Sequence, residues 1–366
     1  MAKLGKPAVA IAIMAAIIAV LLTLCTPRST SKSSMLGVEA PSPAAPRAGA
    51  GDIRVLVLDF DPTIEDSASR PAHQAFGWSD PRVLATGYIA DVAAASGGRM
   101  RYDIAEWRTL NEFPPKRDSY RYSAAAYARC LTHRTTCHDP DGLDYDRVLT
   151  EQGVAKLIER REIDEVWLFG GPYFGYFEAA MAGPGAFDIN GDAFENFPST
   201  RPFAIMGFNY ERGVAEMLHD LCHRAEATLS RVYGGWDAAR LNTTWAQFAA
   251  NAHQSRGRAG VGSCHYPPNA TSEYDYDNPR VVQSNAADWQ RYPALTGARS
   301  AVSRDTWRGP DYQRNYMRWW LSHLPRVDGV GPDGKLANWW AYVVSFDSLF
   351  QEARARDAAG LTALTP

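Results

Sequence analysis

Four short apolar runs stand out along the chain, and each is bounded by polar, glycine or proline residues. They are IRVLVLDF (53–60), MRYDIAEW (100–107), IDEVWLFG (163–170) and FAIMGFN (203–209). Their length and their β-branched and aromatic content are typical of strands that are buried on both faces. The sequence therefore predicts four buried strands.

Helical patterns lie between and after these runs, near residues 82–97, 146–162 and 211–232. Strands that alternate with helices are typical of a mainly parallel sheet with helices on both faces, so we predict an α/β fold. Ligands of such sheets bind beyond the carboxyl ends of the strands. The segments at 170–178 and 209–213 are therefore expected to line a binding site.

The pattern changes from about residue 236 onward, where short helical pieces are separated by long loops. Eight of the 11 tryptophans fall in this part of the chain. Because no stretch of linker composition separates it from the preceding strands, we predict one α/β unit over 53–355. This unit has a sheet core (53–235) and an aromatic-rich, loop-rich C-terminal extension (236–355), and a tail follows at 356–366.

The N-terminus has the features of an export segment. Lys3 and Lys6 precede an uninterrupted apolar run over residues 8–25, which is near the minimum length for crossing a bilayer. Residues 1–25 are predicted to be a signal anchor or a cleaved signal peptide, and the anchor is favoured because small residues are poorly placed for cleavage. The two lysines predict an extracytoplasmic body, either membrane-anchored or secreted.

Residues 26–52 are rich in proline, serine, alanine and glycine and show no apolar period, which predicts a disordered linker. The whole chain has 46% hydrophobic and 22% charged residues and a net charge of −3, an ordinary globular composition. No long run of lysine and arginine is present, so nucleic acid is excluded as an expected partner.

Four cysteines follow the linker, an even number that predicts two disulfides in an oxidising compartment. Three connectivities are open. The favoured one joins Cys130 to Cys137, which would close a local loop, and Cys222 to Cys264.

The stretch EMLHDLCHRAE (216–226) places His219 and His223 four residues apart on a predicted helix. HDLCH resembles the H-E-x-x-H motif of the zincin metalloproteases, with Asp220 in the acid position. The resemblance implies that the two histidines bind zinc, the expected cofactor. The alternative is a solvent-facing stripe on which the histidines are incidental.

A third ligand is expected from one of two places. A disulfide between Cys222 and Cys264 would bring His265 beside the histidine pair. Glu226, one turn beyond His223, is the rival ligand.

Three acids are candidate catalytic residues. Asp220 and Glu216 lie on the helix of the histidine pair, and either is a candidate for the general base. Glu178 lies in the glycine- and aromatic-rich segment that follows the third strand, where it is a candidate general acid or base.

These residues favour a metal-dependent hydrolase acting on peptide or cell-envelope polymer, with the membrane as a partner through the N-terminal segment. One alternative is a non-catalytic glycan-binding or envelope-interaction protein, in which the late aromatic residues face sugar rings instead of filling a core. Another is a carboxylate-dependent glycosidase built around Glu178 and Glu216. The late aromatic residues in question are Trp289, Tyr292, Trp307, Tyr312 and Tyr316.

Three longer phrases, DEVWLFGGPYFGYFEAAMAGPGAF, IMGFNYERG and CHYPPNATSEYDYDNPR, resemble segments of an uncharacterised family of secreted bacterial proteins. The resemblance runs from about residue 53 to 345. It implies a single-unit architecture and carries over no catalytic residue.

Overall fold

The computed structural model describes residues 52–64 and 69–346. The predicted N-terminal segment, the linker up to residue 51, the end of the extension from residue 347 and the tail lie outside the described residues. Within the described ranges, no helix has the length and apolar character needed to cross a membrane.

The described chain alternates strands and helices up to residue 233 and then turns to shorter elements. The strands are β1 (Ile53–Phe60), β2 (Thr63–Ile64), β3 (Arg70–Pro71), β4 (Tyr102–Leu110), β5 (Glu165–Gly170), β6 (Ala179–Ala182), β7 (Phe203–Asn209), β8 (Val282–Ser284), β9 (Ser300–Val302), β10 (Arg326–Val330) and β11 (Leu336–Asn338). The α-helices are α1 (Ala72–Ala75), α2 (Pro81–Ala95), α3 (Ala124–Thr132), α4 (Tyr145–Glu151), α5 (Val154–Glu159), α6 (Val214–Tyr233), α7 (Thr244–Phe248), α8 (Ala286–Trp289), α9 (Arg304–Trp307), α10 (Tyr312–His323) and α11 (Trp340–Val344).

The central sheet has five strands in the order β4-β1-β5-β7-β6. β1 pairs in parallel with β4 and β5, and β5 pairs in parallel with β7. The edge strand β6 runs antiparallel to β7. All four predicted strands are present and mutually parallel, so the predicted α/β fold with a mainly parallel sheet is confirmed.

Alternate side chains of β1 enter different hydrophobic cores, which explains why its sequence is continuously apolar. Val55 and Val57 belong to the core that contains α2, α6 and the C-terminal extension. Leu56 and Leu58 belong to the core under α3, α4 and α5. The sheet is therefore covered on both faces, as parallel sheets usually are.

Two local features differ from the sequence-based expectation. The helix expected over 146–162 is two helices, α4 and α5, because Gly153 between them has a left-handed conformation with φ of 67°. The edge strand β6 was not predicted, because its sequence, AAMA, has no β-branched or aromatic residue. It is held in place by its pairing with β7.

The aromatic residues of the C-terminal extension fill the core on the α6 side of the sheet. Trp289 and Tyr316 are fully buried, Tyr292 is 2% exposed and Trp307 is 6% exposed. These four rings therefore cannot present flat faces to a sugar. The core interpretation is confirmed for them, and they no longer support the glycan-binding alternative.

Both predicted disulfides are present. Cys130 and Cys137 join the end of α3 to the turn that follows it, with Cα atoms 4.5 Å apart. Cys222 and Cys264 join α6 to the extension, with Cα atoms 5.8 Å apart. Only the second disulfide links the two parts of the unit.

We expect acid to destabilise the protein through His323, which is buried at the end of α10. Burial lowers the pKa of His323 from 6.5 to about 4. Between these values the unfolded chain binds a proton that the folded protein excludes, so stability is fully present above pH 6.5 and falls as the pH drops toward 4. The loss should reach about 3 kcal/mol.

Urea unfolding at about pH 7 and about pH 4.5 measures this effect. His323→Gln removes the titrating ring, so the variant should lose less stability between the two pH values than the wild type. Equal losses in the two proteins would contradict the expectation.

Candidate metal centre

Helix α6 carries two of the predicted ligands on one face. Its first turn is stabilised by Glu216, whose Oε2 accepts a hydrogen bond from the Gly213 N–H (3.1 Å). His219 and His223 follow one turn apart, with ring centroids separated by 4.5 Å. His219 is only 5% exposed, so the solvent-facing alternative is wrong for this histidine.

The face is covered by the segment that contains Cys264. The disulfide to Cys222 fixes this segment to the middle of α6. Helix α10 supports it from the other side, because the Tyr316 hydroxyl and the Trp320 indole donate hydrogen bonds to two backbone carbonyls just before Cys264 (2.8 and 2.9 Å). The residue that follows Cys264 is therefore held beside the histidine pair.

That residue is His265, and it completes a cluster of three histidines. One ring nitrogen of each lies within 4.8 Å of the others. The Nε2 atoms of His265 and His223 are 3.2 Å apart. Two nitrogens that bind one zinc ion at 2.0–2.1 Å in tetrahedral geometry lie about 3.3 Å apart. The cluster could therefore hold a metal ion with little rearrangement of these two side chains.

Glu226, the rival third ligand, lies on the outer side of His223. Its Oε1 accepts a hydrogen bond from the Cys264 N–H (2.8 Å), and its Oε2 is 3.5 Å from Nδ1 of His223. A carboxylate on the outer nitrogen of a histidine orients the ring and directs the other nitrogen to the metal. Glu226 also groups with Cys222 and Cys264, but a disulfide occupies both sulfurs.

The electrostatics of the cluster distinguish the three imidazoles. Burial, together with the two neighbouring histidines, lowers the pKa of His219 to about 3. Burial also lowers the pKa of His265. Burial opposes protonation of His223 as well, but the hydrogen bond and charge of Glu226 outweigh it and raise its pKa. Two of the rings are thus held neutral, the form that binds metal ions.

Glu178 is the predicted acid that the structure brings to the cluster. It immediately precedes β6, which pairs with β7, and its backbone carbonyl accepts a hydrogen bond from the Gly207 N–H (3.2 Å). Its Oε2 lies 3.6 Å from Nε2 of His223, the nitrogen that faces His265. The side-chain amide of Asn190 donates to the same oxygen (2.9 Å).

Gly207 is required for this approach of β6 to β7. A Cβ atom at this position would lie 2.3 Å from the carbonyl oxygen of Phe177 and 2.8 Å from the side chain of Tyr176. A side chain here would therefore push away the backbone that leads to Glu178.

A cavity of about 670 Å³ opens beside the cluster. It is lined by the segments after β5 and β7, as expected for a parallel sheet, and by His219, Glu178, Glu216 and Asp220. The carboxylate of Glu216 is engaged by the first turn of α6. Burial and the charges of Glu178 and Glu216 raise the pKa of Asp220 well above its usual value.

Two tyrosines at the site were missed by sequence reasoning. The Tyr274 hydroxyl lies 3.3 Å from Nε2 of His265, and the residue is 54% exposed and lines the cavity. The Tyr276 hydroxyl donates to the carbonyl of Cys264 (2.8 Å) and lies 3.5 Å from Nδ1 of His219. Both come from EYDYDN (273–278), an acidic turn whose sequence contains no signal for a role beside a metal.

Comparison with family models, with curated proteins and with solved structures finds no match to this chain. The assignment of a function therefore depends on the geometry of the site.

Proposed function

We propose that this chain is a metal-dependent hydrolase that cleaves peptide bonds, with zinc bound by His219, His223 and His265. The observation that carries the proposal is the position of Glu178, whose carboxylate lies 3.6 Å from Nε2 of His223 at the edge of a cavity of about 670 Å³. One histidine of the cluster, His219, thus lines the same cavity as the partly exposed carboxylate of Glu178. This is the constellation that metal-assisted hydrolysis needs.

Zinc held by these three histidines would supply Lewis acidity and would lower the pKa of a water molecule toward 7. Glu178 is the general base. It accepts a proton from the attacking water while the water oxygen bonds to the carbonyl carbon, and it returns the proton to the nitrogen as the C–N bond breaks. Asn190 orients the carboxylate through its hydrogen bond.

Glu178 is preferred to the two acids on the helix for a geometric reason. Among the three candidates, it is the one with a carboxylate oxygen within 4 Å of a ring nitrogen of the cluster. Glu216 caps the helix, and Asp220 follows His219 on α6 and lines the cavity. Cell-envelope peptides are the proposed substrates.

An extracytoplasmic location is part of the proposal. Two disulfides in a single unit favour an oxidising compartment. The charged and apolar N-terminal sequence favours export, with attachment to the membrane or secretion as the result.

The test uses the full chain loaded with zinc and a mixture of fluorogenic peptides. We expect about one zinc ion per chain, peptide cleavage, and loss of cleavage on chelation that zinc restores. Glu178→Gln should lower kcat by about 10²- to 10⁴-fold and leave the zinc content unchanged, because it removes the base and no ligand.

Glu195→Gln is the matched control, since this exposed acid lies beyond the site on the same stretch of chain. It should cleave at the wild-type rate. A zinc-loaded protein that cleaves no peptide, or a Glu178→Gln variant of normal kcat, would contradict the proposal.

A further inference from the structure

The histidine cluster borders a second cavity, for which the proposed reaction has no use. This cavity has a volume of about 320 Å³, and the residues that line it include His265, Trp236, Gln254 and Tyr266. The first cavity, of about 670 Å³, is bordered by His219 instead, and among the described residues none lines both cavities. The rings of His219 and His265 stack with their centroids 5.1 Å apart. A substrate bound at the cluster can therefore extend into two separate cavities.

An indole ring is exposed in the second cavity. The exposed large hydrophobic residues of the described chain include two aromatic ones, Trp236 and Tyr274, which are 37% and 54% exposed. Tyr274 lines the first cavity, and Trp236 lines the second. The Trp236 ring packs against the buried ring of Trp245, with centroids 5.7 Å apart and an interplanar angle of 66°. An exposed ring that is held in place offers a flat apolar surface to a ligand.

Two polar groups in the second cavity have no partner in the described part of the chain. They are the side-chain amide of Gln254 and the hydroxyl of Tyr266. The Ser263 hydroxyl, in contrast, accepts a hydrogen bond from the Tyr266 N–H (3.2 Å). The Glu226 carboxylate is also engaged, by the Cys264 N–H (2.8 Å). Because an amide and a hydroxyl can both donate and accept, the two free groups suit a ligand with uncharged hydroxyl or amide groups.

This combination favours a sugar ring over an apolar side chain as the ligand. A pocket for an apolar side chain is lined mainly by apolar residues. In the second cavity only Trp236 and Ala238 are apolar, and the other lining residues carry polar groups. A sugar ring has C–H groups on its faces, which can pack on an indole, and hydroxyl groups around its edge. The volume of about 320 Å³ lies within the range of small-ligand pockets.

We infer that the second cavity binds an uncharged sugar ring, so that the substrate of this site is a peptide attached to a glycan. The inference rests on the proposed peptide hydrolase function and names the substrate class of the same site. Trp236 packs against the face of the sugar, and Gln254 and Tyr266 hydrogen-bond to its hydroxyl or amide substituents. The sugar is held beside His265 while the peptide lies in the first cavity.

The first experiment measures binding without catalysis, by calorimetry on the full chain. The probes are chitotriose, which carries acetamido groups, maltotriose, which carries hydroxyl groups alone, and N-acetylphenylalaninamide, which presents an apolar side chain. At least one of the two sugars should bind to the wild type with a Kd of about 1 mM or below. Trp236→Ala should weaken this binding at least about 10-fold, and Trp236→Phe should weaken it less because it keeps a ring.

Leu295→Ala is the matched control, because Leu295 is also 37% exposed and lines neither cavity. It should bind sugar as the wild type does. Three results would overturn the inference: no binding of either sugar to the wild type, tighter binding of N-acetylphenylalaninamide than of both sugars, or unchanged sugar binding in Trp236→Ala.

The second experiment compares zinc-loaded protein on a peptide with and without the sugar that bound in the first experiment, attached next to the cleaved bond. The wild type should show a kcat/KM at least about 10-fold higher for the sugar-bearing peptide. Trp236→Ala should reduce this ratio toward one and cleave the bare peptide as the wild type does. Equal cleavage of both peptides by the wild type would overturn the inference and leave the hydrolase proposal standing. Sugar binding by a protein that cleaves no peptide would keep the sugar site and contradict the proposed function.

Discussion

Replacing His219 by alanine is expected to abolish tight zinc binding. Protein zinc sites bind with about 10–16 kcal/mol, and one of three ligands contributes roughly a third of this. Its loss should weaken zinc affinity by about 10²- to 10⁴-fold. The cavity beside His219 is preformed, and the ring is held neutral by burial, so little of its binding free energy is spent on deprotonation.

Competition against a chromophoric chelator measures the zinc dissociation constant of each variant. His253→Ala is the control, because His253 is exposed and lies outside the cluster. His223→Ala and His265→Ala should behave as His219→Ala does. Zinc affinity that is the same in all four variants would show that the cluster is not the binding site.

Replacing both Cys222 and Cys264 by serine should lower stability and metal affinity together. The disulfide closes a loop with a sequence separation of 42 residues, and restricting such a loop in the unfolded chain contributes about 4 kcal/mol. The segment carrying His265 also loses its covalent attachment to α6. We expect zinc to bind about 10- to 100-fold more weakly, the range found when groups that support metal ligands are removed.

The other disulfide provides a matched control. Cys130 and Cys137 are separated by 7 residues, so their replacement by serine should cost only about 2 kcal/mol. Cys130 belongs to the core on the opposite face of the sheet from Cys222, so zinc affinity should stay at the wild-type value. Denaturant unfolding and chelator competition give the two quantities. If both double variants lose the same zinc affinity, the effect arises from general destabilisation.

The strands of the sheet could be predicted because each is encoded by its own residues. In β1, Val55 and Leu56 point into different cores, and both must be apolar. In β6 the short sequence AAMA has no clear preference for a strand, and its pairing with β7 holds it in the extended conformation. Pairing between distant segments is a tertiary effect that local patterns do not contain.

The same distinction applies to the site. The spacing of His219 and His223 is a local property of one helix. His265 could be predicted as their neighbour because the disulfide between Cys222 and Cys264 brings the adjacent residues of both segments close together. The approach of Glu178 depends on the path of the chain between β5 and β6, for which no motif exists. The sequence made Asp220 and Glu216 candidates for the base because both lie on the helix of the histidine pair, and their directions from the helix axis follow from the turn of about 100° per residue.

The hydrogen bonds from Tyr316 and Trp320 to the segment before Cys264 have a consequence for how the protein is made. Helix α10 is synthesised after all three histidines, and chains emerge from the ribosome starting at the N-terminus. A nascent chain that ends before α10 holds the histidine pair on α6 but lacks the support for His265. We therefore expect metal loading to be a late event, so that a chain exported as proposed would acquire the proposed ion in the compartment in which folding is completed.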